Sequence, residues 1–303
     1  MNKADIRKVI SQSILADGMS PIIDLNKSHG SWLVDKVSGK EYLDLFSMFA
    51  SLSVGYNHPY VLEQSERLRI AAINKPTNSD VYSQEMAEFM QTDKRVDQPE
   101  YLPHTFFIEG GGLAVENALK VAFDWKRRKN LAKGSSAKGE KVIHFKQCFH
   151  GRTGYTMSLT DSPDKRKTMY FPKFDWPRVT NPKITFPLKD NLEHVQELER
   201  QSLHEIKEAI AANPDNIASI ILEPIQGEGG DNHFRCEYMQ SLREIADEND
   251  IMLIYDEVQT GVGVTGKMWA HQHFSSTDCD SCDCEDGLIA KPDIISFGKK
   301  TQV

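Results

Sequence analysis

The chain has 303 residues, 39% of them hydrophobic, and a formal net charge of −8. That length allows about two domains and a sizeable buried core. The acidic balance is spread along the chain and argues against a nucleic acid or an anionic membrane as partner, since either would want a basic face. No run reaches the ~18 apolar residues of a membrane span, and residues 1–15 lack the apolar region of a signal peptide. A cytoplasmic location is the resulting expectation. Five cysteines in such a chain do not form a disulfide framework.

Residues 32–43 read as a hairpin turning at Ser38 and Gly39. Helical patterns follow around 59–72 and 83–90. Short β-rich apolar runs then occur at 105–108, 141–145, 217–222, 251–255 and 294–297. They lack clean polar alternation, as strands covered on both faces do. Between them lie helical patterns at 113–128, 192–212 and 237–249. In the second of these Leu192, Val195, Leu198, Leu203 and Ile206 fall at helical spacing. Strand and helix in alternation predict an α/β fold, a mostly parallel sheet with helices on both faces. The expected organisation is a small N-terminal lobe at 1–60 and a large α/β domain at 61–303. Residues 161–190 are proline-rich and weakly periodic, and read as a long loop of the kind that is often functional.

Ligands of open parallel sheets sit beyond the carboxyl ends of the strands. After the first run come Glu109, three glycines (110–112) and a helix start. This is either a tight turn or a phosphate site, because free N–H groups at a helix start suit an anion. After 141–145 come Phe149, His150, Gly151 and Arg152. Phe149 and His150 have ordinary structural readings as well as ligand ones; Arg152 is harder to explain as packing. After 217–222 a glycine-rich loop carries Glu223 and Glu228. After 251–255 come Asp256 and Gln259, where a carboxylate could pair with a cationic ring nitrogen. After 294–297 come Gly298, Lys299 and Lys300. A desolvated lysine there could form a Schiff base. Together these groups match the needs of pyridoxal 5'-phosphate.

The stretches 110–120, 149–152, 223–230, 256–261 and 297–300 resemble those of the class III, ω-amino-acid aminotransferases. Residues 174–182, 297–303 and 78–82 resemble most the L-lysine 6-aminotransferase branch. The resemblance implies a fold type I pyridoxal-phosphate transferase with roles for individual residues. Gly111 and Gly112 give backbone N–H groups to the phosphate. Phe149 stacks on the pyridine face. Asp256 pairs with the ring nitrogen, and Gln259 meets the phenolic oxygen. Lys299 is the Schiff-base lysine and proton shuttle, six residues after Asp293 as in the family. Glu223 holds nearby structure, Arg152 binds a substrate carboxylate, and Glu228 is a gate near it. The implied substrates are L-lysine and 2-oxoglutarate, with glutamate as product, in a homodimer. Ornithine or 4-aminobutyrate as donor stays within the same class.

Two departures stand out. Family members continue for roughly another third of their length, with a second carboxylate-binding arginine and a phosphate-binding threonine. The chain is therefore expected to be C-terminally truncated and, alone, inactive or nearly so. The stretch 275–286 holds three cysteines and five acids. Its C-x2-C-x-C spacing lacks the separated second pair of structural zinc sites, so the reading is an acidic loop with no metal.

Overall fold

The computed structural model describes residues 5–74, 80–275 and 287–301. The chain divides into two compact units, Met1–Val96 and Asp97–Val303. The sequence pattern places this line at residue 60; the structure groups the helices up to Val96 with the first unit. Pro99 and Pro103 follow that boundary closely.

In the first unit, β1 (Trp32–Val34) and β2 (Glu41–Leu43) form an antiparallel pair with Trp32 opposite Leu43. The predicted turn is pinned by Asp35. Its carboxylate accepts hydrogen bonds from Ser38 N and Oγ at 2.9 and 2.5 Å and from Ile22 N at 2.8 Å. Gly39 takes φ +74°, a conformation that glycine adopts without a Cβ penalty. Helices α1 (Ile6–Ile10), α2 (Pro59–Glu63), α3 (Ser65–Asn74) and α4 (Gln84–Val96) complete the unit.

The second unit holds a five-stranded sheet of β3 (Lys141–Phe145), β4 (Arg178–Val179), β5 (Ile217–Leu222), β6 (Met252–Asp256) and β7 (Ile294–Ser296). Its order is β4-β3-β5-β6-β7, and all four pairings are parallel. Helices α5 (Gly111–Ala132), α6 (Gly154–Leu159), α7 (Leu188–Ala212) and α8 (Cys236–Glu248) cover it. Val115, Leu119 and Ala122 of α5 pack with Val142, Ile221 and Ile254 on one face. Ile206 of α7 and Tyr238, Met239 and Leu242 of α8 pack with Ile143, Phe145, Ile220, Leu253 and Tyr255 on the other. This double cover explains the unbroken apolar runs, since every residue of β5 is buried.

Two expectations are corrected. Residues 105–108 are not a strand, and Phe106 is 70% exposed. A short apolar run alone does not separate a ladder strand from an extended approach to a glycine turn. Conversely, the long loop hides strand β4. Its two residues pair with His144 and Phe145, too few to leave a periodic signal.

No helix among the described residues is long and apolar enough to cross a membrane.

Candidate active site

The loops following β3, β6 and β7 meet the first turn of α5. Gly110 at φ +88° redirects the chain into that helix. The turn is closely packed: a Cβ at Gly111 would lie 2.7 Å from Val258 Cγ1, and one at Gly151 would lie 3.0 Å from Gly112 Cα. One at Gly298 would come within 3.7 Å of Gly111 Cα. The glycines here let three loops approach the free N–H groups of the helix start. Thr153 Oγ1 and Tyr155 N both donate to Glu116 Oε1, at 2.6 and 2.9 Å, and so tie the loop after β3 to α5.

Asp256 ends β6 and is buried. Its Oδ1 accepts from Val258 N at 3.1 Å, and its Oδ2 lies 2.8 Å from His150 Nδ1. Burial disfavours a charged His150, but the neighbouring Cys148 sulfur and the bond to Asp256 outweigh it and hold the imidazole well above its ordinary range. His150 Nε2 is buried without a hydrogen-bond partner among the described residues. Phe149, half-buried, has its backbone N–H held by Glu223 Oε1 at 2.8 Å.

Lys299 follows β7 with φ +49°, a strained setting for a residue other than glycine. Its Nζ donates to Gln259 Oε1 at 3.0 Å. Desolvation lowers its pKa, against the opposing pull of Asp256 and Glu223. Lys300 points elsewhere. Its Nζ donates to the Gln259 backbone carbonyl, and burial together with the Lys299 charge brings its pKa down to about 8. Both lysines are thus tuned toward neutral amines, and only Lys299 has Asp256 and Glu223 among the charges acting on it.

Glu223 is pushed up to about 8, first by burial and further by the Asp256 charge, although His150 opposes both. Its folded pKa therefore lies above its unfolded value, and the folded state binds the extra proton between those values. Stability is expected to fall as pH rises from about 4.5 to about 8, then to level off. Glu223→Gln should flatten that decline. Thermal melts of both proteins across this window test it; parallel curves would refute it.

Arg152 is exposed and has no acidic partner among the described residues. With Glu116, Tyr155, Lys167, Phe171 and Phe174 it lines a cavity of about 850 Å³. Glu228 turns to partners outside the sequence motifs. Its Oε1 accepts from Lys167 Nζ at 2.7 Å and Ser162 Oγ at 2.8 Å. Lys167 and Ser162 were hidden because a basic Lys165-Arg166-Lys167 run normally reads as a solvated face. The packing of Gly227 against the Gln259 amide, 2.6 Å from a built Cβ, joins this loop to the lysine.

Among the described residues no His, Cys, Asp and Glu cluster is arranged to hold a metal ion. The cysteines 279, 282 and 284 lie outside the described residues, as do positions 78 and 79 of the resemblance.

The family model "Aminotransferase class-III" matches residues 14–301. This chain belongs to the class-III aminotransferases. It is 47% identical over 302 residues to the L-lysine-epsilon aminotransferase of Mycobacterium tuberculosis, covering 98% of this chain and 64% of that protein. The enzyme of the same name from Amycolatopsis lactamdurans is 45% identical, with 99% and 64% covered. A solved lysine aminotransferase from M. tuberculosis, in the internal aldimine form, superposes with a TM-score of 0.91 at 46% identity, over 100% of this chain and 66% of that one. The chain thus spans about two thirds of the length of these relatives. The family confirms the α/β class and the mostly parallel sheet.

Proposed function

We propose that the protein of which this chain forms part transfers the ε-amino group of L-lysine to 2-oxoglutarate, giving 2-aminoadipate 6-semialdehyde and glutamate, with pyridoxal 5'-phosphate as cofactor. The observation that carries this reading is the convergence of Lys299, Gln259 and buried Asp256 at the ends of neighbouring parallel strands. The names of the relatives support the choice of lysine as donor.

The residues present fit this cofactor. Gly111 and Gly112 stand at the start of α5, where free backbone N–H groups suit a phosphate. Half-buried Phe149 suits a stacked ring, and Asp256, buried and paired with His150, suits a ring N–H⁺. Gln259 would meet the phenolic oxygen. When bound, the cofactor supplies an electron sink conjugated with the reacting amine. Lys299, its pKa lowered, has the character of an amine that holds the cofactor and then moves a proton. Arg152 faces the cavity as a free guanidinium able to take a substrate carboxylate through two parallel hydrogen bonds.

Lysine and glutamate make conflicting demands on one site. Lysine presents its ε-amine, and its carboxylate is distant. Glutamate presents its α-amine, with one carboxylate near and one distant. A fixed cation for the distant carboxylate, Arg152, must coexist with a cation near the reacting carbon that can be masked. Glu228 is the mask in this reading. Glu228→Ala in the complete enzyme should impair the lysine half-reaction more than the glutamate one when each is measured in single turnover. Equal losses would refute the gate. Side-by-side assays with lysine, ornithine and 4-aminobutyrate test the donor; faster turnover of either alternative would overturn lysine.

A further inference from the structure

Glu228 must have two resting places if it is a gate, and the structure holds it in one that none of the motifs supplies. Its Oε1 is shared by the Lys167 ammonium at 2.7 Å and the Ser162 hydroxyl at 2.8 Å. Ser162 is fully buried, and Lys167 is about one-third exposed. Both belong to the proline-rich segment after α6, not to the glycine loop that carries Glu228. Glu228 Oε2 is buried with no partner among the described residues. A carboxylate bound through one oxygen, with the other desolvated and unmatched, is held less firmly than a bidentate pair. It sits on Gly227, Gly229 and Gly230, and Gly230 adopts φ +119°. Lys167 also lines the cavity that Arg152 enters.

We propose that Lys167 and Ser162 form a catch that parks Glu228 away from the cation it masks, so that they determine how well the site accepts a dicarboxylate. The proposal rests on the gate reading and adds its second position. With Glu228 on the catch, the near cation is free for the α-carboxylate of glutamate or 2-oxoglutarate. With Glu228 released, the near cation is neutralised, as lysine requires. Ser162 contributes direction, because its hydroxyl lies on the same carboxylate oxygen as the ammonium. Lys167 contributes charge. Neither residue touches the reacting atoms; both act through Glu228 as positioning residues.

The catch predicts an effect opposite in sign to that of removing the gate. Lys167→Met keeps the length of the side chain and removes its charge. In the complete enzyme it should weaken the 2-oxoglutarate half-reaction by about tenfold, the scale of one hydrogen bond to a charged group. The lysine half-reaction should be unchanged or faster. Lys167→Arg should restore the balance, and Ser162→Ala should shift it the same way by a smaller factor. Added to Glu228→Ala, Lys167→Met should have no further effect. Binding supplies a readout independent of turnover. The dissociation constant for glutarate, a dicarboxylate without an amine, should rise about tenfold in Lys167→Met, while that for pentanoate should not. Equal loss in both half-reactions, or equal loss for glutarate and pentanoate, would overturn the catch. If Glu228→Ala itself shows no preference between half-reactions, the gate has failed; if it does and Lys167→Met does not, only the catch has.

Discussion

Replacing Lys299 by alanine is expected to remove turnover by at least about 10³-fold, within the range a positioned proton-transfer group supplies. The effect is specific to position 299. Lys299 Nζ reaches the Gln259 side chain, and the charges acting on it are Asp256 and Glu223. Lys300 Nζ is spent on the Gln259 backbone carbonyl. Lys300→Ala should therefore keep most of the activity while loosening the loop. The positive φ of Lys299 gives a second check. A residue kept in the left-handed region costs of order 1–3 kcal/mol unless glycine occupies it. Lys299→Gly should melt no lower than Lys299→Ala, yet be just as inactive. Borohydride reduction of the cofactor-loaded protein, followed by peptide mapping, should mark Lys299; a mark on Lys300 would reverse the assignment.

The sequence revealed the site at the level of strands and their carboxyl ends. Runs such as 217–222 and 141–145 appear as strands because both of their faces are covered, and that cover leaves a contiguous apolar signal. The loops after them could then be inspected for chemistry. What stayed hidden was local pairing across long sequence separations. The contact of His150 with Asp256 joins residues 106 positions apart. No motif distance encodes it, and an isolated histidine has an ordinary structural reading. Lys167 and Ser162 were hidden for the opposite reason. They lie in a segment without periodicity, where a basic run reads as solvent-facing, and only the path of the chain brings them to Glu228. Strand β4 was lost because it has two residues, and 105–108 was misread because an aromatic run looks the same whether or not it joins a ladder.

The second large effect is expected at Asp256, where charge and shape can be separated. Asp256→Asn keeps one acceptor oxygen, for either His150 Nδ1 or Val258 N, and removes the carboxylate charge. Turnover should fall by roughly 10²–10³, the scale on which a single preorganised electrostatic group acts. Asp256→Ala should lose similar activity and also melt earlier, because it leaves a buried imidazole without its acceptor. The asparagine variant has a distinct pH signature. In the parent, the raised folded pKa of His150 gives stability that is complete below the unfolded value near 6.5 and is lost as pH rises through the folded value. Without the Asp256 charge only the Cys148 sulfur is left to oppose burial, so the folded His150 pKa falls. The variant then gains less stability from His150 at low pH than the parent does. Cys148, Glu223, His144 and Lys299 also bear on this cluster. Of these, Glu223 shifts in the same direction, because losing the Asp256 charge lowers its pKa and relieves its alkaline penalty. The melting-temperature deficit of Asp256→Asn relative to the parent should therefore widen steadily from pH 8 to pH 5. A deficit independent of pH would mean that His150 does not carry its charge against Asp256, and that the carboxylate is held by backbone contacts alone.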